Sequence, residues 1–136
     1  MDEQGSLIVS TVSDDPFAID VAHFFGQQAE IADLIALKRF ANTEFCPRFI
    51  SDENDLGNIG RRLCGKTVII VSSCCGTHTR NARAMRTCLT ARAAKDNGAQ
   101  RVILVEPDLF YSAQDRGPRP DHGQVDFERS KADYKK

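Results

Sequence analysis

The stretch that most limits what this chain can fold into runs from Thr67 to Val105. Thr67-Val68-Ile69-Ile70-Val71 is a short continuous apolar run rich in β-branched residues, the pattern of a strand in a parallel sheet. A long helix is predicted from about Thr79 to Asn97, where Asn97-Gly98 supplies a C-terminal stop. Val102-Ile103-Leu104-Val105 reads as a second strand, buried on both faces and ended by Pro107. Strand, helix and strand of these lengths make a βαβ unit, which is right-handed in nearly all cases and needs a parallel sheet. On the helix, Ala82, Met85, Cys88, Leu89 and Ala93 are expected to form the packing stripe, leaving Arg80, Arg83, Arg86, Arg92 and Lys95 outside.

The other elements are weaker. Ser6 to Thr11 reads as a first strand, and Ser13-Asp14-Asp15-Pro16 as a helix start with an N-cap and a proline in the first turn. Residues 14–25 and 27–40 are expected to be helical, with Gly26 between them, and Phe45 to Ile50 forms a short strand. Ser51 to Asn58 is polar and acidic with strong turn chemistry. The expected class is α/β, a parallel sheet flanked by helices. Residues 1–116 form the domain, and 117–136 form a charged flexible tail or a truncated insertion without a core-forming pattern. About four strands are few for a stable sheet, so the chain reads as the first part of a longer protein or as an element that needs partners.

Composition narrows the class further. The 136 residues are 41% hydrophobic and 27% charged with a net charge of -1, ordinary for a globular domain and without a field that would draw nucleic acid or an anionic membrane. No span of about 20 apolar residues is present. The five cysteines have no framework spacing and read as reduced thiols, which makes the cytoplasm the expected address.

Open α/β sheets bind ligands in the crevice outside the carboxyl ends of their strands. Two loops fall there. Ser72 to Thr79 feeds a helix N-terminus, which suits anions, although every βα turn resembles this to a degree. Gln114-Asp115-Arg116, after Phe110 and Tyr111, offers an amide, a carboxylate and a guanidinium suited to phosphate. A surface loop closed by its own ion pair fits the same residues. Cys74-Cys75-x-x-His78 lacks the second pair that zinc needs, and packing at a strand end is the plainer reading. His23 reads as an ordinary helix histidine, and the arginines at 80, 83, 86 and 92 as a solvated or subunit-facing surface.

At these residues the chain resembles a known family. Tyr111-x-x-Gln114-Asp115-Arg116 is similar to the Y-x-R-Q-D-R signature of ribose-phosphate pyrophosphokinases. Arg48-Phe49-x-x-x-Glu53 resembles the family's R-F-S-D-G-E segment, and Gly65 to Ser73 resembles its G-x-x-V-x-I-I-Q-S-T strand and turn. The resemblance implies two phosphoribosyltransferase-like α/β domains assembled as dimers stacked into hexamers. It implies an enzyme that moves the β,γ-diphosphoryl group of ATP to the 1-hydroxyl of ribose 5-phosphate with Mg²⁺. It places Gln114, Asp115 and Arg116 at the ATP pocket, and Phe49 and Glu53 on an adenine-side loop reaching in from a neighbouring subunit. Metal ligands and catalytic residues fall on no matching position of this chain. Ala113 stands where the family has the arginine of R-Q-D, and this departure suits the alternative of a catalytically silent relative that associates with an active synthetase. A generic nucleotide-binding or thiol-sensing domain is the reading outside the family.

Overall fold

The structure, a computed structural model, describes residues 5–50, 61–73 and 78–111. In chain order its elements are β1 (Ser6–Ser10), α1 (Pro16–Phe24), α2 (Ile31–Leu34), β2 (Ile35–Arg39), β3 (Phe45–Phe49), β4 (Thr67–Val71), α3 (Arg80–Asp96) and β5 (Arg101–Val105). β1, β4 and β5 form a parallel sheet in the order β1-β4-β5, and β2 and β3 form a separate antiparallel pair. The β4-α3-β5 unit is the βαβ unit that the apolar runs require.

The core lies on and around β4. Val68, Ile70 and Val71 are fully buried, joined by Ile8 and Val9 of β1 and by Ala18 and Ala22 of α1. Burying a Val or Ile side chain stabilises by about 1.5–3 kcal/mol, so the central strand is the chief stabilising element. α1 begins where its residues dictate: Asp15 caps it, accepting from Phe17 N at 3.0 Å and Ala18 N at 3.4 Å, and Pro16 occupies N1. It ends at Gly26, whose φ of 81° only glycine adopts freely. There Gln27 N reaches back to Ala22 O at 3.0 Å. The Gln27 side chain then lies along β1 like a strand neighbour. Its Oε1 accepts from Ile8 N at 2.8 Å and its Nε2 donates to Ile8 O at 3.1 Å.

Three expectations are corrected. Residues 27–40 are not one helix: after the single turn of α2 the chain extends into β2 and pairs Ile35 with Phe49 and Arg39 with Phe45. Both Ile35 and Phe49 are buried by this pairing, and burial by a partner strand outweighs an amphipathic pattern that fits either conformation. The buried face of α3 is Arg83, Thr87, Thr90 and Ala94, a stripe at helical spacing, while Met85 is 60% exposed and Cys88 is exposed. Finally, β5 is not buried on both faces. Among the described residues it is the sheet edge, with Ile103 and Leu104 exposed.

Candidate functional site

Parallel pairing brings Ser10, Val71 and Val105 into one row at the carboxyl edge of the sheet. The loops that leave this row are tied together. Thr11 Oγ1 donates to Ser72 Oγ at 3.4 Å, and Ser72 N donates to Val105 O at 2.9 Å. Asp15 is 1% exposed; while one of its oxygens caps α1, Oδ2 accepts from Ser73 Oγ at 2.7 Å. A single buried carboxylate thus fixes both a helix start and the exit from β4.

The loop after β5 is anchored on α3. Arg83, whose side chain is 2% exposed, pairs through Nη2 with Glu106 Oε1 and donates to Asp108 O at 2.7 Å. Its Nη1 reaches Asp108 Oδ2 at 3.3 Å. Arg80 adds a 3.1 Å bond to Asp108 Oδ1 and a 3.4 Å bond to Leu109 O. The hydrogen bond from Arg80 above all, with that from Arg83 behind it, holds the Asp108 carboxyl below the ordinary carboxylate range against an opposing effect of burial. Tyr111, at a left-handed φ of 62°, donates its hydroxyl to Asn81 Oδ1 at 2.5 Å. The first residue of the Tyr111–Arg116 signature is therefore held on the first turn of α3, just past the turn that follows β4.

Of the residues expected to bind nucleotide, Glu53, Gln114, Asp115 and Arg116 lie outside the described residues, as do Ala113, Cys74 and Cys75. Phe49 is described and is a core residue, 1% exposed at the end of β3, so its ring offers no free face to a base. The same R-F-x-x-x-E spacing occurs a second time, at Arg39-Phe40-Ala41-Asn42-Thr43-Glu44, and this copy forms the tip of the β2–β3 hairpin. The tip is closed by Thr43 N to Phe40 O and Phe40 N to Glu44 O bonds, both 2.9 Å, with Thr43 at φ 74° and the Asn42 side chain accepting from Glu44 N at 3.1 Å. Phe40 is 39% exposed there, with Lys38 Nζ 5.2 Å from its ring centre. The repeated spacing was visible in the sequence; reading residues 27–40 as helix concealed that this copy sits on a turn.

Between the hairpin and α3 lies a cleft of about 790 Å³ lined by Arg39, Phe45, His78, Met85, Arg86 and Leu89 among others. Arg86 is not a solvated surface residue. Its guanidinium stacks 4.3 Å from the centre of the Phe45 ring and Nη1 donates to Thr11 O at 3.1 Å. Burial first, and then Arg39, push the Arg86 pKa down. His78 is pushed down by burial, then by Arg86 and Arg39, with Asp14 opposing. His23 sits on the exposed end of α1, 3.8 Å from Glu30. Among the described residues no group of three His, Cys, Asp or Glu side chains is arranged to hold a metal ion, and no helix is long and apolar enough to cross a membrane.

A parallel sheet with two helices, α1 and α3, capped at its carboxyl edge by Asp15 and Thr79, and with residues that follow all three strands tied together there, defines an α/β domain of the kind that holds its ligand at that edge. The model of the N-terminal domain of ribose phosphate pyrophosphokinase matches residues 7–125, and the chain belongs to that family, one of phosphotransferases of nucleotide biosynthesis. No curated protein matches the chain.

Proposed function

We propose that the chain is the ATP-side N-terminal part of a ribose-phosphate diphosphokinase. In that reaction the 1-hydroxyl oxygen of ribose 5-phosphate attacks the β-phosphorus of ATP, the bond to the α-phosphate oxygen breaks, and phosphoribosyl pyrophosphate and AMP leave. The observation that carries the reading is the anchoring of Tyr111 on Asn81 by way of the Arg80 and Arg83 contacts to Asp108. This contact holds Tyr111 at the N-terminal end of α3, and in the proposed complex Gln114 and Asp115 meet the nucleotide with Arg116 beside it. The base-side residues are Phe40 and Glu44 at the hairpin tip, in preference to the buried Phe49 and to Glu53, and they reach a neighbouring copy in a homo-oligomer, dimer or hexamer. Positioning and charge neutralisation are the means of catalysis in such transfers. Mg²⁺ arrives on the ATP phosphates, as is usual for this ion, and the protein works in the cytoplasm. In this reading the chain by itself binds nucleotide and does not complete the reaction. Ala113, in the place of a phosphate-facing arginine, favours the second reading, a silent subunit that modulates an active synthetase.

Calorimetric titration of ATP with Mg²⁺ into the wild-type chain and into Phe40→Ala tests the reading. Stacking of a base on an aromatic ring is worth about 1–3 kcal/mol, so Phe40→Ala is expected to bind at least fivefold more weakly. Equal affinities would remove the hairpin tip from the site, and absence of binding by the wild-type chain would remove the reading itself.

A further inference from the structure

The cleft between the β2–β3 hairpin and α3 does not include Tyr111, although Phe40 and Glu44 of the hairpin tip line it, and it gathers positive charge in a chain whose net charge is -1. Arg39 comes from the end of β2, His78 from the segment before α3, and Arg86 from the second turn of that helix. Neither arginine makes an ion pair with a carboxylate among the described residues. Arg86 is also fixed in place: one nitrogen is spent on Thr11 O and its plane rests on Phe45, so its other N–H groups are held rather than free to swing. Like charges brought together from separate elements oppose folding unless something of opposite sign joins them. The acids nearby do not fill that role. Glu44 lines the cleft but is exposed, and Asp14 acts on His78 less strongly than the two arginines do.

We propose that this cleft binds a tetrahedral oxyanion, an inorganic phosphate or the phosphoryl group of a nucleotide, between Arg39, His78 and Arg86. A guanidinium presents a planar fork of donors that matches such oxygens. Phe45, Met85 and Leu89 supply apolar wall around it, which limits competition from water and strengthens each contact. Burial first, and then the two arginines, hold His78 below its ordinary value; a bound dianion offsets the arginines' part, so protonation of His78 and anion binding reinforce each other. Affinity therefore rises as the solution is acidified through the His78 titration. The site stands on these residues whether or not the nucleotide reading of the Tyr111 rim holds.

The test uses sulfate, whose charge stays constant near neutrality, so that any pH dependence belongs to the protein. The chain has three histidines, His23, His78 and His122, each followed through its ring protons by NMR. The expected result is that sulfate raises the His78 pKa and leaves that of His23 in place, with tighter binding at the acid end of the titration. Arg39→Gln, at an exposed position, is expected not to lower the melting midpoint, and Arg39→Gln and His78→Gln are each expected to weaken sulfate binding about tenfold, the usual scale for one hydrogen bond to a charged group. Sulfate that moves His78 no more than His23, or that binds Arg39→Gln as tightly as wild type, would overturn the proposal. Phosphate and AMP are then compared by the same readout. Equal affinity identifies the free ion, tighter AMP identifies a nucleotide phosphoryl group, and failure of both to move His78 counts against the site.

Discussion

Arg83 carries a permanent charge into a position where 2% of its side chain meets solvent, and its partner Glu106 is 4% exposed. Glu106 depends on Arg83 there, and Arg83 on Glu106 together with Asp108, because taking an ion out of water costs several kcal/mol unless a partner and hydrogen bonds offset it. Removing Arg83 alone should therefore be more damaging than removing both. Arg83→Met, which leaves Glu106 without its arginine, is expected to destabilise the chain by about 3–5 kcal/mol, and Glu106→Leu by less because Asp108 still pairs with Arg83, while the double substitution recovers part of the Arg83→Met loss. Thermal denaturation of the four proteins closes the cycle, and additive losses would show that the two residues act independently. Nothing in the sequence marks Arg83 apart from Arg80, Arg86 or Arg92. A helical arginine beside apolar neighbours reads as solvated, and its acidic partner lies on another element. Only the pairing across β5 separates this arginine from the rest.

At the scale of elements, the sequence was legible where one physical signal acted alone. The β-branched run of β4 suits a buried strand, Asp15-Pro16 a helix start, and Asn97-Gly98 a helix end, and each is found there, with Gly98 at φ 88°. It was ambiguous where tertiary pairing chose between two periods. Ile31, Leu34, Ile35 and Leu37 suit a helix face, yet the partner strand Phe45–Phe49 draws the second half of that run into a hairpin. β5 reads as doubly buried because Ile103 and Leu104 are apolar, while sheet order among the described residues leaves it at the edge. The site was legible only in part for the same reason: Tyr111 could be placed after a strand, but not the arginine clamp that holds it on α3.

That clamp gives the loop after β5 a pH response. Asp108 has a folded-state pKa below its ordinary 3.8, so its contribution is complete above that value and is lost as pH falls through the lower, folded value. The loop is expected to stay docked at neutral pH and to release in acid. Asp108→Asn is expected to loosen it already at neutral pH. Fluorescence of Tyr111 in a Tyr134→Phe background reads the contact with Asn81, and a signal unchanged by Asp108→Asn would mean that Arg80 and Arg83 do not hold the loop.

On the scale of the whole molecule, one edge of the sheet is specialised and the other is not. The carboxyl edge collects Thr11, Asp15, Ser72, Ser73, the Arg80–Asp108 contact and Tyr111. Among the described residues, the opposite edge holds turns, with a β-bridge between Cys64 and Ala99 and Lys95 Nζ donating to Ala99 O at 2.9 Å. The chain belongs to the pyrophosphokinase family, the proposed function makes the ligand a nucleotide, and the general rule for open α/β sheets points to the carboxyl edge. Backbone amide NMR of the chain titrated with ATP and Mg²⁺ joins the two. The account predicts shifts concentrated at Ser73, Asn81 and Tyr111, with none at Cys64 or Ala99. Shifts centred on Cys64 and Ala99, or an unperturbed Tyr111 at saturating nucleotide, would contradict it.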